Sequence, residues 1–412
     1  MSLSNDSAIK NLIKSAKAQQ VTRRTVLAGA SAAAAVTALA ACAPGGSTTK
    51  LQPAEDLSDS EKEVTWDNWP YYMDGETDGT FPTLNEFTAQ TGIKVNYPIN
   101  VDDNNTYFAR VKNALAAGKD TGADTMCLTD WMASRLIANG YVQELQYDLM
   151  PNVTANLDPA FGGDVYPWDP GRKYSLPWKG IIAAVGYHKA AYKAATGKDA
   201  PTSLEDLWVP ELKGKIVVLS EMRDTIGVMM LAKGIDITSF TADDFHNTLD
   251  QFTQLSADGQ FANILGNSYV EMIKEGKDAI AGIVWAGDLV ATNDELGNED
   301  LGVVLLESGS TFACDNYQIP MGARHAKNAH TLINYYYEPE VAAILATSGV
   351  YYVSPVVGAQ EAATAINPAI GNNTLIFPTA EDYKKLKAFR PLTPAEEREF
   401  SQAWSDATTG VL

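Results

Sequence analysis

The sequence predicts an α/β protein in two lobes, and three observations predict it. Short β-branched or aromatic runs alternate with helical patterns along the chain, which favours a parallel or mixed sheet with covered faces. The body, residues 62–412, is too long for one hydrophobic core, and no internal repeat marks it as a solenoid or propeller. With 45% hydrophobic and 20% charged residues the whole chain can bury such cores, which excludes a disordered chain.

The elements follow in order. Residues 64–69 read as a strand, 84–90 as a helix stopped at Thr91-Gly92, and 93–97 as the next strand. Across 106–117, Phe108, Val111 and Leu115 recur at helical spacing. A short buried-type strand covers 125–128, and a helix covers 131–138 before Asn139-Gly140. The alternation resumes at 181–187, 216–219, 226–232, 280–285 and 301–306.

The first 41 residues read differently. Lys10, Lys14, Lys17, Arg23 and Arg24 precede an Ala-rich stretch from Val26 to Ala41, a charged region followed by a short apolar one. Arg23-Arg24-Thr25-Val26-Leu27 resembles a twin-arginine export signal. Leu39-Ala40-Ala41-Cys42 resembles a lipobox, in which Cys42 becomes the lipidated first residue; an ordinary secretory signal is the alternative. Residues 42–61, rich in Pro, Gly, Ser, Thr and Asp, read as a flexible tether. No later run reaches the ~20 apolar residues of a membrane-spanning helix.

Against 31 Lys and Arg stand 51 Asp and Glu, a net charge of −20, which becomes −24 once residues 1–41 are removed. That charge repels a phosphate backbone and argues against nucleic-acid binding, while it suits a cationic small molecule. No G-x-S-x-G elbow, Walker loop, dinucleotide fingerprint or H-E-x-x-H occurs. His188, His246, His325 and His330 are scattered and read as surface or structural, so neither metal nor cofactor is expected. An exported, two-lobed chain without a catalytic constellation reads as a binding protein.

Several segments carry a family resemblance. Asn68-Trp69-Pro70-Tyr71-Tyr72 with 87–95, Tyr174-Ser175-Leu176-Pro177, the run Ser203 to Gly214 and the run Leu332 to Ala342 occur in family order over nearly all of the body. In these the chain resembles the periplasmic spermidine/putrescine-binding proteins of ABC importers. The resemblance implies a two-lobe, type II binding-protein fold with a cleft and two crossover hinge segments. One lobe would be 62–179 plus 318–357, the other 180–317 plus 358–412. It implies a monomer that delivers a cation to a permease driven by a cytoplasmic ATPase, from the outer face of the cytoplasmic membrane.

A polyamine needs carboxylates for its ammonium groups and flat apolar walls for its methylenes. At family-matched places the chain offers Trp69, Tyr72, Thr129, Asp130, Trp131, Glu221, Asp224, Trp285, Asp288 and Asp315. Each has a plainer reading: Glu221 and Asp224 suit a helix N-terminus, Asp130 an N-cap, and a Trp after a strand suits a core. Two positions depart from the family: Ala313 where a Trp is common, and Arg390 where a Gln reaches the ligand. Arg390 would pair with Asp130 or Asp224, or meet the anionic end of an amino-acid-like or opine-like solute. Family topology also brings Cys127 near Cys314, where an oxidising exterior permits a bridge; two buried free thiols are the alternative. A carboxylate-dependent hydrolase using Glu221 and Asp315 is the remaining alternative.

Overall fold

The computed structural model describes residues 50–70, 72–75, 80–101, 103–162 and 166–409. Residues 1–41, which the sequence suggests as an export signal, and Cys42 lie outside them. Among the described residues ten strands form one sheet, in the order β2-β1-β3-β9-β4-β7-β5-β6, with β10 beside β9 and β8 beside β4. The strands are β1 (Glu63–Asp67), β2 (Lys94–Asn96), β3 (Thr125–Thr129), β4 (Leu176–His188), β5 (Ile216–Leu219), β6 (Phe261–Leu265), β7 (Ala281–Trp285), β8 (Leu301–Val304), β9 (Ser310–Gln318) and β10 (Leu386–Lys387).

Two halves repeat one plan. β2, β1 and β3 run parallel and meet β9 antiparallel; β6, β5 and β7 run parallel and meet β4 antiparallel. The long strands β4 and β9 pair with each other from Leu176↔Tyr317 to Ala183↔Thr311, so both cross from one half to the other. Because β4 runs with β3 and against β7, the carboxyl ends of β1, β3, β5 and β7 all point to the middle. That is where open α/β sheets place their ligands.

Each half has its own core. In the first, Trp66 packs at 5.0–5.6 Å against Trp178, Tyr317 and Tyr336. This core also takes in Ala359, Ala363, Ile370, Ile376 and Phe377, residues that the expected boundary at 357 assigns to the other lobe. In the second, Ile216, Val217, Val218 and Leu219 are fully buried, as a parallel strand covered on both faces requires. Phe245 stacks on Phe400 of the helix Pro394–Thr409 at 3.9 Å, fastening the C-terminal helix to this half.

Two expectations are corrected here. The reading of 42–61 as a flexible tether fails from residue 50 onward. Ala54 N and Leu57 N donate to Met321 O and Arg324 O, Asp56 accepts from Ser58 N and Lys327 N, and the buried Ser58 hydroxyl accepts from Asn328 N. Pro, Ser and Asp serve turns and caps as readily as linkers, so composition alone does not separate the two. The bridge between Cys127 and Cys314 is also absent. Cys127 stands opposite Tyr317, three residues from Cys314, and side chains alternate along β9. The two sulphurs therefore enter different cores on opposite faces of the sheet, both free and buried. Denatured without reductant, a Cys42→Ala chain should yield two reactive thiols; fewer would contradict this register.

Candidate functional site

Thr311, Ala313 and Asp315 share one face of β9 by the two-residue period of a strand. Register places Thr129 of β3 and Lys179 of β4 in one row with Asp315, Ile181 beside Ala313, and Ala183 between Thr311 and Trp285. Ala313 and Ile181 are half-exposed although they lie on central strands, so they form an apolar floor between two polar rows. Around this floor stand residues that follow the carboxyl ends of the strands.

Asp315, 2% exposed, anchors one end. It accepts from Tyr72 Oη at 2.7 Å and from Thr129 Oγ1 at 2.7 Å, and Asn104 Nδ2 donates to the same threonine oxygen. Burial pushes the Asp315 carboxyl up to about 6. Asp224 anchors the other end, accepting from Trp285 Nε1 and Thr311 Oγ1, each at 2.8 Å; burial raises it as well. Two hydrogen bonds leave each carboxylate with acceptor capacity for a further donor. Asp224 reaches the strand because Gly227 lies on the same helix, Met222–Ala232: a Cβ there would stand 2.6 Å from Thr311 Cγ2 and push the helix away.

The aromatic residues divide. Tyr72 packs on Tyr352 at 5.1 Å, and Tyr352 in turn donates to Asp288, which also accepts from Tyr269. Trp69, half-buried, donates through Nε1 to Cys127 O at 3.1 Å. The Trp131 ring carries the Arg223 guanidinium at 4.3 Å, and Arg223 pairs with Glu397 at 2.6 Å and, more loosely, with Glu221 at 3.5 Å. Glu221 is the N-cap of its helix, accepting from Arg223 N, as its plainer reading holds; burial raises its carboxyl.

Asp130 is placed behind the strand rather than over it. Its oxygens accept from Cys314 N at 2.7 Å and Asn316 Nδ2 at 2.8 Å, and burial pushes it up to about 7. Arg390 is a correction. It lies away from Asp130 and Asp224, bound to Glu396 at 2.6 Å and to Phe240 O, with its guanidinium on the Phe240 ring at 4.1 Å. Glu396 at the start of the C-terminal helix is the nearest carboxylate along the chain, and Arg390 helps pull it down to about 2.

Three neighbours of this site escaped the sequence reading. Thr311 follows from the period of β9, two residues before Ala313. Tyr352 carries no local signal, since only the fold brings it to Tyr72. Lys179 stands opposite Asp315, fully buried, its ammonium pulled down to about 7 by desolvation while Asp74 opposes the shift.

Two half-sheets with facing carboxyl ends, crossed by two long strands and holding buried carboxylates between aromatic rings, define a two-lobe ligand-binding protein. Comparison with known proteins makes this specific: the chain belongs to the bacterial extracellular solute-binding protein family, which it matches over residues 83–372. It is 27% identical over 308 residues to the spermidine/putrescine-binding periplasmic protein 1 of Haemophilus influenzae, covering 73% of this chain and 78% of that one. It is 26% identical over 366 residues to the putrescine-binding periplasmic protein PotF of Escherichia coli, covering 86% and 93%. Among solved structures, the spermidine/putrescine ABC transporter substrate-binding protein PotD of Streptococcus pneumoniae superposes with a TM-score of 0.69 at 21% identity, over 85% of this chain and 100% of that one. The first two relatives are named as periplasmic binding proteins and the third as the substrate-binding protein of an ABC transporter, and no described helix is long and apolar enough to cross a membrane.

Proposed function

We propose that the protein captures a polyamine of the putrescine/spermidine type and hands it to an ABC permease driven by a cytoplasmic ATPase. One observation carries this reading: Asp315 and Asp224 are buried at opposite ends of one apolar floor, each with acceptor capacity left and each raised by burial. An excess of buried carboxylate is costly by itself and favourable around a cation. Tyr72 and Trp285 supply rings beside the two anchors. The pairing of Arg390 with Glu396 supports the same reading, because a cation so neutralised weighs less against a polyamine. The protein acts as a monomer, its cleft closing as both lobes touch the solute.

A solute carrying both charges is the second reading, and Arg223 favours it: its guanidinium lies on Trp131, where an anionic end would compete with Glu397 and Glu221 for it. Mass spectrometry of the co-purifying solute, followed by calorimetry with putrescine, spermidine and an ω-amino acid, separates the two. Binding of the ω-amino acid alone would overturn the polyamine reading.

The anchor belongs to the same proposal. Lipidation of Cys42 holds the protein at the outer face of the cytoplasmic membrane, since two acyl chains suffice where one is marginal. Cys42→Ala should shift the protein from the membrane fraction to the soluble exported fraction. A variant still processed normally and recovered wholly with membranes would count against the anchor.

A further inference from the structure

We propose that Glu61, Glu63 and His325 bind one divalent transition-metal ion of the zinc class, with Asp124 supporting the imidazole from behind. The site lies where β1 and β3 begin, at the opposite end of these strands from the ligand cleft.

The argument starts from Asp124. Its Oδ1 accepts from Arg324 N at 3.1 Å and His325 N at 2.8 Å, and its Oδ2 accepts from Thr65 N at 2.8 Å. Three N–H donors give both of its oxygens the role of acceptor. The His325 Nδ1, 3.0 Å from Oδ2, must therefore donate. In the neutral ring Nε2 then carries a lone pair, and it faces Glu61 Oε2 at 2.9 Å. Two acceptors at that distance repel unless a positive centre sits between them, either a proton or a metal ion.

Glu63 favours the metal. A proton needs one carboxylate, whereas here a second stands alongside: Nε2 and one oxygen from each glutamate all lie within 4.8 Å of one another. The two glutamates are held as a pair because Asn328 Nδ2 donates to both Glu61 O and Glu63 O, at 2.9 and 2.8 Å. The imidazole is held too, its side chain only 8% exposed. A carboxylate behind the far nitrogen of a ligating histidine is the arrangement that orients the ring and raises its basicity. One nitrogen and two carboxylate oxygens, with water as the fourth ligand, suit zinc or a neighbouring transition metal rather than all-oxygen calcium or magnesium. Arg324, 3.6 Å from Glu61, is half-exposed and competes for that carboxylate. The ion would join the end of the 50–61 segment, the first strand and the turn before the helix Ala326–Tyr335.

The test is calorimetric titration of Zn²⁺ into the full exported chain after chelator dialysis. One ion per chain is expected. Glu63→Gln and His325→Asn should each weaken binding tenfold or more, while Arg324→Ala should tighten it. Glu63 is exposed, so Glu63→Gln should melt like the parent in chelator and carries the decision, while His325→Asn, at a buried hydrogen-bonded position, is read beside its own melting curve. The proposal is overturned if the parent binds no Zn²⁺ or if Glu63→Gln binds it as tightly. It is equally overturned if Ca²⁺ or Mg²⁺ matches Zn²⁺.

Discussion

Asp315→Asn should cost the protein 30-fold to several-thousand-fold in polyamine affinity, the largest loss of any single substitution in the cleft. The asparagine keeps the shape and can still accept from Tyr72 or Thr129, so the fold is retained while the charge is lost. An ammonium taken out of water then lacks its charge-assisted partner, and breaking such a buried pair costs about 2–5 kcal/mol. Asp224→Asn should lose affinity in the same way, because its carboxylate is held just as firmly by Trp285 and Thr311. Trp285→Ala should cost less and act on the aliphatic chain, so it should penalise spermidine more than putrescine. Calorimetry with both amines on the three variants reads all of this. If each variant stays within threefold of the parent, the cleft has been placed wrongly.

The second large effect is with pH. Burial holds the Asp315 carboxyl at about 6, against an ordinary 3.8, so in the ligand-free protein it is protonated at pH 5 and ionised at pH 7.5. The amine stays charged throughout, and it needs the carboxylate. Affinity should therefore fall on acidification, by about tenfold between pH 7.5 and pH 5, since each pH unit below the shifted value costs about one tenfold step. Asp224 and Glu221, also raised by burial, steepen the fall. Stability of the free protein runs the other way. A carboxyl raised in the folded state contributes stability below its unfolded value and loses it as pH rises through about 6. Melting curves should thus show the amine stabilising most at pH 7.5 and least at pH 5. An affinity that is flat across this range, or rises with acid, would remove Asp315 from the binding step.

What was legible in the sequence follows physical range. Residues 216–219 and 125–128 are apolar runs whose burial needs no tertiary knowledge, and both are strands within a residue of expectation. The length of β4 was under-read, because Leu176 to Gly180 carries a Pro, a Lys and a Gly that are tolerated only beside a bulge. The family-matched anchors Asp224 and Asp315 follow or sit on strands, and the structure brings both to one floor. Arg390 was misplaced because a cation's partner depends on which carboxylate lies nearest in space, and a helix start six residues on decided that. Tyr352 could not be found at all, since its contact with Tyr72 spans most of the chain.

β9 also sets a length. Asp315 lies at one end of the face that carries Ala313, and Thr311, which holds Asp224, lies four residues earlier. At about 3.3 Å of rise per residue Thr311 and Asp315 are separated along the strand by about 13 Å, which sets the scale of the span between the two carboxylates. A four-carbon diamine, extended and with a charge-assisted hydrogen bond of about 2.8 Å at each end, bridges nearly that distance. A shorter diamine would leave one carboxylate unmet, and one longer than the span would have to bow over Ala313. Because that residue is an alanine, there is room above the floor for such a bow. The strand thus acts as a ruler whose near edge is strict and whose far edge is forgiving: affinity should drop sharply on shortening the diamine and only gradually on lengthening it.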